Sequence, residues 1–383
     1  VDHAMRPESA DEAVSVRERL NSAGIEAVVL TRDGPALKSD RQAAARQARY
    51  ALMTEWCRHA GVLHLLLGHH QGDQAETLML RLGRGSGVDG LAAMAPILEN
   101  VHLRLLRPLL GVPRDDLIAF LRSCKMDWIE DPSNEDTAFA RVRVRRMMPG
   151  LGEEGLTEAR LAATARRMAR ARVALEGAAT ELLARAAAIY PEGYALLSTG
   201  ELLASPDETG LRALARLLTC IGGGQHGPRL ERLERLYEWL ARGDGDGRTL
   251  AGCRIARRRG GLVLICREAV ATGEAVPAVD GALWDGRFRL AVDCAPDARM
   301  RGLGPDGWAQ IKAQSPDLEA ETLPAEVRNA IPAIWRLEEV TDVPHLHYHR
   351  MPLEGAPLDQ SELTFLPMRS LCAARFSAVP GFA

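Results

Sequence analysis

The chain has 383 residues, of which 46% are hydrophobic and 26% charged, and its formal net charge is -3 at pH 7. This composition suits a globular protein of two or three domains and excludes a polycation, although a local basic surface for nucleic acid stays open. No apolar run is long enough to span a bilayer, so we expect no membrane partner. The seven cysteines form no C-x-x-C pair, which argues against a disulfide framework and favours the reducing cytoplasm.

The first 150 residues alternate between helical and strand-like patterns. Such alternation predicts an α/β fold in which a parallel sheet carries helices on both faces. Helices are predicted over residues 11–23, 40–59, 73–82 and 113–124, and strands over residues 25–31, 61–68 and 102–106.

The composition changes after residue 150, where a long alanine, leucine and arginine pattern begins. We therefore predict three domains: residues 1–150, a helical domain over 151–272, and a small α+β domain over 273–383. Beyond residue 150, the patterns predict helices over 156–188, 229–241 and 324–331, a hairpin over 249–267 that turns near Gly260, and a strand over 284–292.

The most informative segment follows the predicted strand over residues 61–68. Asp73 and Glu76 are three residues apart, so both carboxylates project from one face of the first helical turn, where they suit a cationic ligand. On spacing alone, the pattern favours a capping box, in which such side chains bind free backbone N–H groups of their own helix.

This segment reads His69-x-x-x-Asp73-Gln74-Ala75-Glu76-Thr77 and then Arg84-Gly85-Ser86-Gly87. It closely resembles the signature of the tRNA(Ile)-lysidine synthetases, which are N-type ATP pyrophosphatases of the PP-loop family. The resemblance covers residues 1–150 and weakens towards residue 270. Further motifs follow in the family's order: Val1-Asp2-His3-x-x-Arg6-x-x-Ser9, Ala45-Arg46-Gln47-Ala48-Arg49-Tyr50, Arg107-Pro108-Leu109-Leu110, Trp128-Ile129-Glu130-Asp131-Pro132-Ser133-Asn134 and Phe139-x-Arg141-x-Arg143-x-Arg145.

The resemblance implies an adenine nucleotide alpha hydrolase-like fold and an ATP-dependent ligase. Such enzymes use ATP to adenylate the wobble cytidine of an isoleucine tRNA with a CAU anticodon, and free lysine then displaces AMP to give lysidine. Magnesium is implied by the ATP chemistry, without any metal ligand that we can identify. The sequence is silent on oligomeric state, although members of the family often form homodimers.

By the same resemblance, Asp73 and Glu76 would hold the lysine. Arg49 and Arg141 would be catalytic, and Arg46, His69 and Arg145 would bind ATP or the adenylated intermediate. Fixed positive charge would stabilise the developing anions. The pattern alone leaves a solvated helix face or a generic basic surface open for these arginines.

The resemblance also predicts an S-G-G-x-D-S loop that cradles pyrophosphate, and the printed sequence contains none. We therefore expect the first strand and this loop to lie upstream of Val1, through truncation or a misassigned start codon, and activity to depend on them. Gly72 and Val142 replace a usual Asp and Asn, which is expected to alter ATP or metal handling but not the reaction class.

Two alternative functions remain open from the sequence. A PP-loop enzyme that thiolates tRNA commonly has paired cysteines, which this chain lacks, and a catalytically inactive tRNA-binding remnant would lack the loop. For the tRNA itself we predict contacts from Arg166, Arg167 and Arg170 in the helical domain, with a solvated helix face as the alternative. The series His345-x-His347-x-His349 is interpreted as a surface strand or tail, not as a metal site.

Overall fold

The computed structural model describes residues 1–2, 8–32, 41–99, 103–130, 135–316, 318, 323–350, 362–367, 369 and 371, with only the backbone of 41–43. The predicted motif residues His3, Arg6 and 131–134 lie outside these ranges. The chain divides into two compact units, residues 1–173 and residues 174–377, and the division falls within one long helix.

In its described residues, the first unit contains six helices, the start of a seventh, and three short strands. The helices predicted over 11–23, 40–59, 73–82 and 113–124 are present, with ends that differ by one or two residues. In chain order the elements are α1 (Ser9–Ser22), α2 (Arg41–His59), β1 (His64–Leu66), α3 (Gln71–Leu82), α4 (Val88–Leu91), β2 (Ile97–Glu99), β3 (Arg104–Leu106), α5 (Arg114–Ser123), α6 (Ala140–Glu153) and α7 (Glu158–Ala186).

The sheet of the first unit has the order β1-β3-β2. Strands β1 and β3 are parallel, with Leu65 opposite Leu105, whereas β2 pairs antiparallel with β3. The parallel pair is part of the α/β arrangement that the sequence predicts. Residues 67–70 and Arg107 follow the carboxyl ends of β1 and β3, the edge where open parallel sheets place their ligands.

Helix α3 packs on α6 and on the first turns of α7. Ala75 and Leu78 of α3 are buried against Met148, Leu161 and Ala165. Burial of this apolar face fixes the rotation of α3, so its other buried face, which carries Glu76, turns towards α6.

The predicted strand over residues 25–31 is wrong. Residues 25–30 form no strand, and Thr31 makes only an isolated parallel bridge to Asp2. Ile25 and Val28 are about half exposed, so their β-branched side chains lack the packing partner that makes such a run a buried strand.

The second unit is built on antiparallel sheets. One of these sheets has five strands in the order β4-β5-β8-β7-β6. Together with α9 and α10 it encloses a large apolar core. The elements are β4 (Ala187–Tyr190), β5 (Tyr194–Ser198), α8 (Thr199–Leu203), α9 (Asp207–Gly222), α10 (Leu230–Arg242), β6 (Arg248–Leu250), β7 (Cys253–Arg257) and β8 (Leu262–Arg267).

This sheet corrects the prediction that the domain over 151–272 is helical apart from the hairpin over 249–267. The predicted hairpin is present as β7 and β8, but β4 and β5 complete a sheet that the alanine-rich pattern concealed. The domain boundaries predicted at residues 150 and 272 stay predictions. The division into compact units falls at residue 173 and coincides with neither of them.

The remainder of the unit is an α+β arrangement with a five-stranded sheet, β15-β14-β13-β12-β9, and a three-stranded sheet, β10-β11-β16. Within the residues that the structure describes, no helix is long and apolar enough to cross a membrane. The elements are β9 (Val276–Pro277), β10 (Leu283–Trp284), β11 (Phe288–Leu290), β12 (Ala298–Gly302), α11 (Gly304–Gln314), α12 (Ala325–Arg328), β13 (Pro332–Arg336), β14 (Glu339–Val343), β15 (Tyr348–His349) and β16 (Leu363–Phe365).

Candidate active site

The start of α3 is held by a reciprocal cap. The backbone N–H of His70 donates to Asp73 Oδ2 over 3.0 Å, and the N–H of Gly72 donates to His70 Nδ1 over 3.1 Å. These bonds satisfy two backbone donors at the helix start. Asp73 therefore does cap its own helix, the alternative that the spacing left open.

Glu76 instead points across to α6. Its side chain is only 4% exposed, and Arg145 Nε donates to Glu76 Oε1 over 2.6 Å. Arg141 Nε lies 3.4 Å from Glu76 Oε2. Because Arg141 and Arg145 are four residues apart, one helix face presents both guanidinium groups to the same carboxylate.

Arg141 joins the two carboxylates of α3 into one cluster. Its guanidinium lies 3.8 Å from Asp73 Oδ1 and donates to Thr77 Oγ1 over 3.1 Å. The Thr77 hydroxyl donates in turn to the backbone carbonyl of Asp73 over 2.7 Å. Asp73, Glu76, Arg141 and Arg145 therefore form one cluster of alternating charge, which we call the α3–α6 charge cluster.

Burial dominates the electrostatics of Glu76. Loss of solvation raises the pKa of its carboxyl, while the hydrogen bond from Arg145 opposes that rise. The same hydrogen bond raises the pKa of Arg145, with smaller contributions from Asp73 and Glu158. Arg145 therefore remains a fixed positive charge.

His69 precedes the cap and is neutral near pH 7. Its pKa is lowered to about 4, mainly by burial, with smaller lowering contributions from the positive charges of Arg107, Arg46 and Arg141 and an opposing contribution from Asp73. Its Nδ1 atom is buried and has no hydrogen-bond partner among the described residues. The ring therefore offers a polar atom without adding charge to the cluster.

Two buried side chains tie the surrounding loop to this edge. Gln74 makes a pair of hydrogen bonds with the backbone of Met94, of 2.9 and 2.8 Å. Arg107, after β3, donates to the carbonyl of Ala95 over 2.7 Å. The loop before β2 is thereby fixed against α3 and the end of the sheet.

The other predicted site residues are not members of the α3–α6 charge cluster. Arg46 is exposed on α2, donates to the Tyr50 hydroxyl over 3.2 Å, and lies close enough to affect His69. Arg49 is exposed on the same helix. The predicted tRNA contacts Arg166, Arg167 and Arg170 are exposed on α7, where both an RNA surface and a solvated face remain open.

His345 and His349, near the end of the chain, make separate contacts. His345 is half-buried and its Nε2 lies 3.1 Å from the carbonyl of Pro191, whereas His349 Nδ1 lies 2.9 Å from Asp342 Oδ1. Across the described residues, no three His, Cys, Asp or Glu side chains are grouped as metal ligands. The interpretation as a surface strand fits only the short β15, which contains His349.

Sequence reasoning missed Thr77 as a contact of Arg141, Gln74 as the loop clamp, and Glu158, which lies beside Gly72. Thr77 and Gln74 stand inside the quoted signature, so the motif itself could have directed attention to them. Glu158 lies 86 residues further along the chain than Gly72, and no local pattern relates the two.

Known proteins that are similar to this chain indicate its family. Residues 1–151 match the family profile described as ATP_bind_3: PP-loop domain. The chain is 38% identical over 344 residues to the tRNA(Ile)-lysidine synthase of Ruegeria pomeroyi, covering 90% of this chain and 80% of that protein. It is 40% identical over 273 residues to the tRNA(Ile)-lysidine synthase of Methylobacterium nodulans, covering 69% and 80%.

Among solved structures, the U34-tRNA thiolase NcsA from Methanococcus maripaludis, with its 4Fe-4S cluster, aligns with a TM-score of 0.37 and 16% identity over 44% of this chain and 59% of that one. A likeness of that size indicates nothing further about this chain. The sequence relatives, by contrast, cover 90% and 69% of the chain at 38% and 40% identity and confirm the resemblance seen in the motifs. On that basis, the chain belongs to the tRNA(Ile)-lysidine synthase family.

Proposed function

We propose that this protein converts the wobble cytidine of an isoleucine tRNA with a CAU anticodon into lysidine. In the first step the cytidine O2 attacks the α-phosphorus of ATP and pyrophosphate leaves. In the second step an amine of free lysine adds to C2 and loses a proton, and the bond from C2 to the AMP oxygen breaks. The products are lysidine, AMP and pyrophosphate.

The observation that carries the proposal is the α3–α6 charge cluster. It places two carboxylates and two guanidinium groups within contact distance of one another, at the edge where the strands β1 and β3 end. Carboxylates suit the ammonium groups of lysine, and guanidinium groups suit phosphate oxygens. Lysine and the adenylated tRNA, the two substrates of the second step, would therefore each meet groups of opposite charge in this cluster.

We assign Asp73 and Glu76 to the lysine. An arriving ammonium group would compete with Arg141 and Arg145 for these carboxylates. The arginine side chains are 30% and 41% exposed, against 14% for Asp73 and 4% for Glu76. The guanidinium groups are thus the members of the cluster with room to turn towards a second ligand.

We assign the positive groups to the nucleotide. Arg141, with Arg49, would stabilise the charge that develops on the transferred adenylate, and Arg46 and Arg145 would bind ATP phosphates or the adenylated intermediate. His69 would contribute a hydrogen bond, since its neutral ring neither attracts phosphate nor repels lysine. ATP use accords with the PP-loop profile over residues 1–151.

Magnesium enters this proposal with the nucleotide. In the described part of the chain the carboxylates of the cluster are engaged by arginines and do not group as a metal site. We therefore assign no protein ligand to the ion, which would bind mainly through phosphate oxygens and water. Its role would be to neutralise the leaving pyrophosphate.

The tRNA contacts are assigned to Arg166, Arg167 and Arg170 on α7, whose exposed guanidinium groups can reach phosphates. A cytoplasmic location and a homodimer complete the proposal, by analogy with the family.

The test is incorporation of labelled lysine into tRNA by the protein that the gene encodes, including any residues that precede Val1. With ATP and the CAU-anticodon tRNA we expect stoichiometric incorporation, and with a GAU anticodon none, because the wobble cytidine is absent. Asp73→Asn with Glu76→Gln should reduce incorporation at least 100-fold. Asp115→Asn with Asp116→Asn, which alters two exposed carboxylates on α5, is the matched control.

Absence of incorporation by the unaltered protein would contradict the proposed reaction. Normal incorporation by the Asp73→Asn and Glu76→Gln variant would contradict the lysine assignment alone.

A further inference from the structure

The absence of a side chain at Gly72 brings α7 close to α3. A Cβ atom built at position 72 would lie 3.1 Å from Glu158 Oε2 and 3.0 Å from His70 Cε1. These distances are tighter than ordinary van der Waals contact, so a larger residue would press on the Glu158 carboxylate. Gly72 is therefore the position that lets Glu158 lie against the first turn of α3.

Glu158 is the first residue of α7 but does not cap it. Thr157 performs that task, since its Oγ1 accepts a hydrogen bond from the N–H of Arg160 over 3.3 Å. Within the described ranges, the Glu158 carboxylate has no hydrogen bond or ion pair of its own. It nevertheless lies near enough to raise the pKa of Arg145, together with Glu76 and Asp73.

The other two carboxylates are already engaged. Asp73 accepts the N–H of His70 and lies beside Arg141, while Glu76 is bonded to Arg145. The second oxygen of Glu76 is buried and accepts no hydrogen bond from the described residues, although Arg141 is 3.4 Å away. An ammonium group placed beside the cluster would thus meet one uncompensated carboxylate, Glu158, and one unfilled acceptor, Glu76 Oε2.

We propose that Glu158 is a third substrate-binding carboxylate, which binds an ammonium group of lysine beside Asp73 and Glu76. This assignment rests on the proposed function, because it names a further residue of the same site. Asp73 and Glu76 are offset by arginines, so Glu158 supplies the unpaired negative charge that favours a doubly cationic amino acid. Gly72 contributes by leaving the space that the carboxylate occupies.

The test compares Glu158→Gln with the unaltered protein in the lysine-incorporation reaction. Loss of one charge-assisted contact should raise the KM for lysine roughly 10-fold or more. Pyrophosphate release from ATP and tRNA without lysine should stay within about 2-fold, because the first step does not use the ammonium site. Glu154→Gln, an exposed carboxylate at the end of α6, should change neither quantity.

A second variant separates binding from helix stability. Gly72→Asp in a Glu158→Ala background, where the shorter residue at position 158 leaves room, places a carboxylate beside α3 and should recover at least part of the lysine affinity. A role confined to the helix dipole of α7 predicts a lower Tm, an unchanged KM for lysine, and no such recovery.

An unchanged KM for lysine in Glu158→Gln, with the unaltered protein active, would overturn this assignment and leave the proposed function intact. Failure of the unaltered protein to incorporate lysine would instead overturn the proposed function. A rise in KM for lysine accompanied by an equal loss of pyrophosphate release would also overturn the assignment, since it would show general damage to the site.

Discussion

Arg145 and Glu76 form a hydrogen bond of 2.6 Å between two helices, and the two side chains differ sharply in exposure, at 41% for Arg145 and 4% for Glu76. The carboxylate is thus enclosed by the fold, while its partner reaches solvent. A buried charge without a partner is costly, so Arg145 both stabilises the packing of α3 on α6 and forms one wall of the site. Its removal should affect stability and activity together.

We expect Arg145→Met to lose about 2–3 kcal/mol of unfolding free energy at pH 7, a value reduced from that of a fully buried pair because Arg145 is partly exposed. Burial already raises the folded-state pKa of Glu76, and loss of Arg145 raises it further. A raised carboxyl pKa means that ionisation costs stability as pH rises through the folded value, and costs nothing below the unfolded value. The loss should therefore shrink towards pH 4, as measured by urea unfolding.

The control for this prediction is Arg145→Met combined with Glu76→Gln, which removes the titrating group. Its stability difference from the Glu76→Gln single variant should no longer vary with pH in this range. An Arg145→Met loss that is the same at pH 4 and pH 7 would contradict the burial of an ionised Glu76.

The second prediction concerns His69, whose folded pKa is lowered to about 4 by burial. Because a depressed histidine pKa favours the folded state above the unfolded value, this contribution is present above about pH 6.5 and is lost as pH falls towards 4. His69→Gln should flatten the fall in stability over that interval. Histidine NMR signals should show His69 unchanged from pH 8 to 5.5, and a midpoint near 6.5 would contradict the burial.

The third prediction concerns the clamp between Gln74 and Met94. Gln74→Ala removes two buried hydrogen bonds and leaves the N–H and C=O of Met94 without partners, which should cost roughly 2–4 kcal/mol. Hydrogen exchange at the Met94 amide should accelerate more than at the core of α3. Gln47→Ala, on the exposed face of α2, should change stability by less than about 0.5 kcal/mol.

The fourth prediction concerns α7 and the tRNA. Replacement of Arg166, Arg167 and Arg170 by Gln should weaken tRNA binding and reduce the slope of log affinity against log salt by about 2–3, if each contacts one phosphate. The exposed Arg299→Gln on β12 is a control for general charge loss. An unchanged slope would identify this part of α7 as a solvated helix face.

Local pattern was sufficient for several helices, but it missed α6 and α9 and was insufficient for strands whose pairing is distant. In α10, Leu233, Leu236 and Leu240 are buried at helical spacing, so the period alone predicts the helix and its inner face. Residues 187–190 continue the alanine-rich pattern of α7, yet they form β4 because they pair with β5. Such a strand is selected by long-range pairing, which no local window contains.

The candidate active site, too, could be predicted only in part from local sequence patterns. The spacing of Asp73 and Glu76 predicted two carboxylates on one turn, whereas Arg141 and Arg145 were assigned to the site by the family resemblance and no helix was predicted around them. That the two faces meet depends on the packing of Ala75 and Leu78 against Met148, which the sequence does not reveal without the fold. Contacts between residues far apart in the chain, such as that of Glu158 with Gly72, are the hardest to predict from the sequence.

Asp73 holds the His70 amide with one carboxylate oxygen, Oδ2, while its other, Oδ1, faces Arg141. The Asp73 side chain thus caps the first turn of α3 and is also a member of the α3–α6 charge cluster. A ligand that draws the Asp73 carboxylate away from the His70 amide would loosen the first turn of α3. A ligand that leaves this hydrogen bond intact would keep the turn ordered. Ligand binding at the α3–α6 charge cluster and order of this turn are therefore linked, so hydrogen-exchange protection of the His70 amide should report on ligand binding.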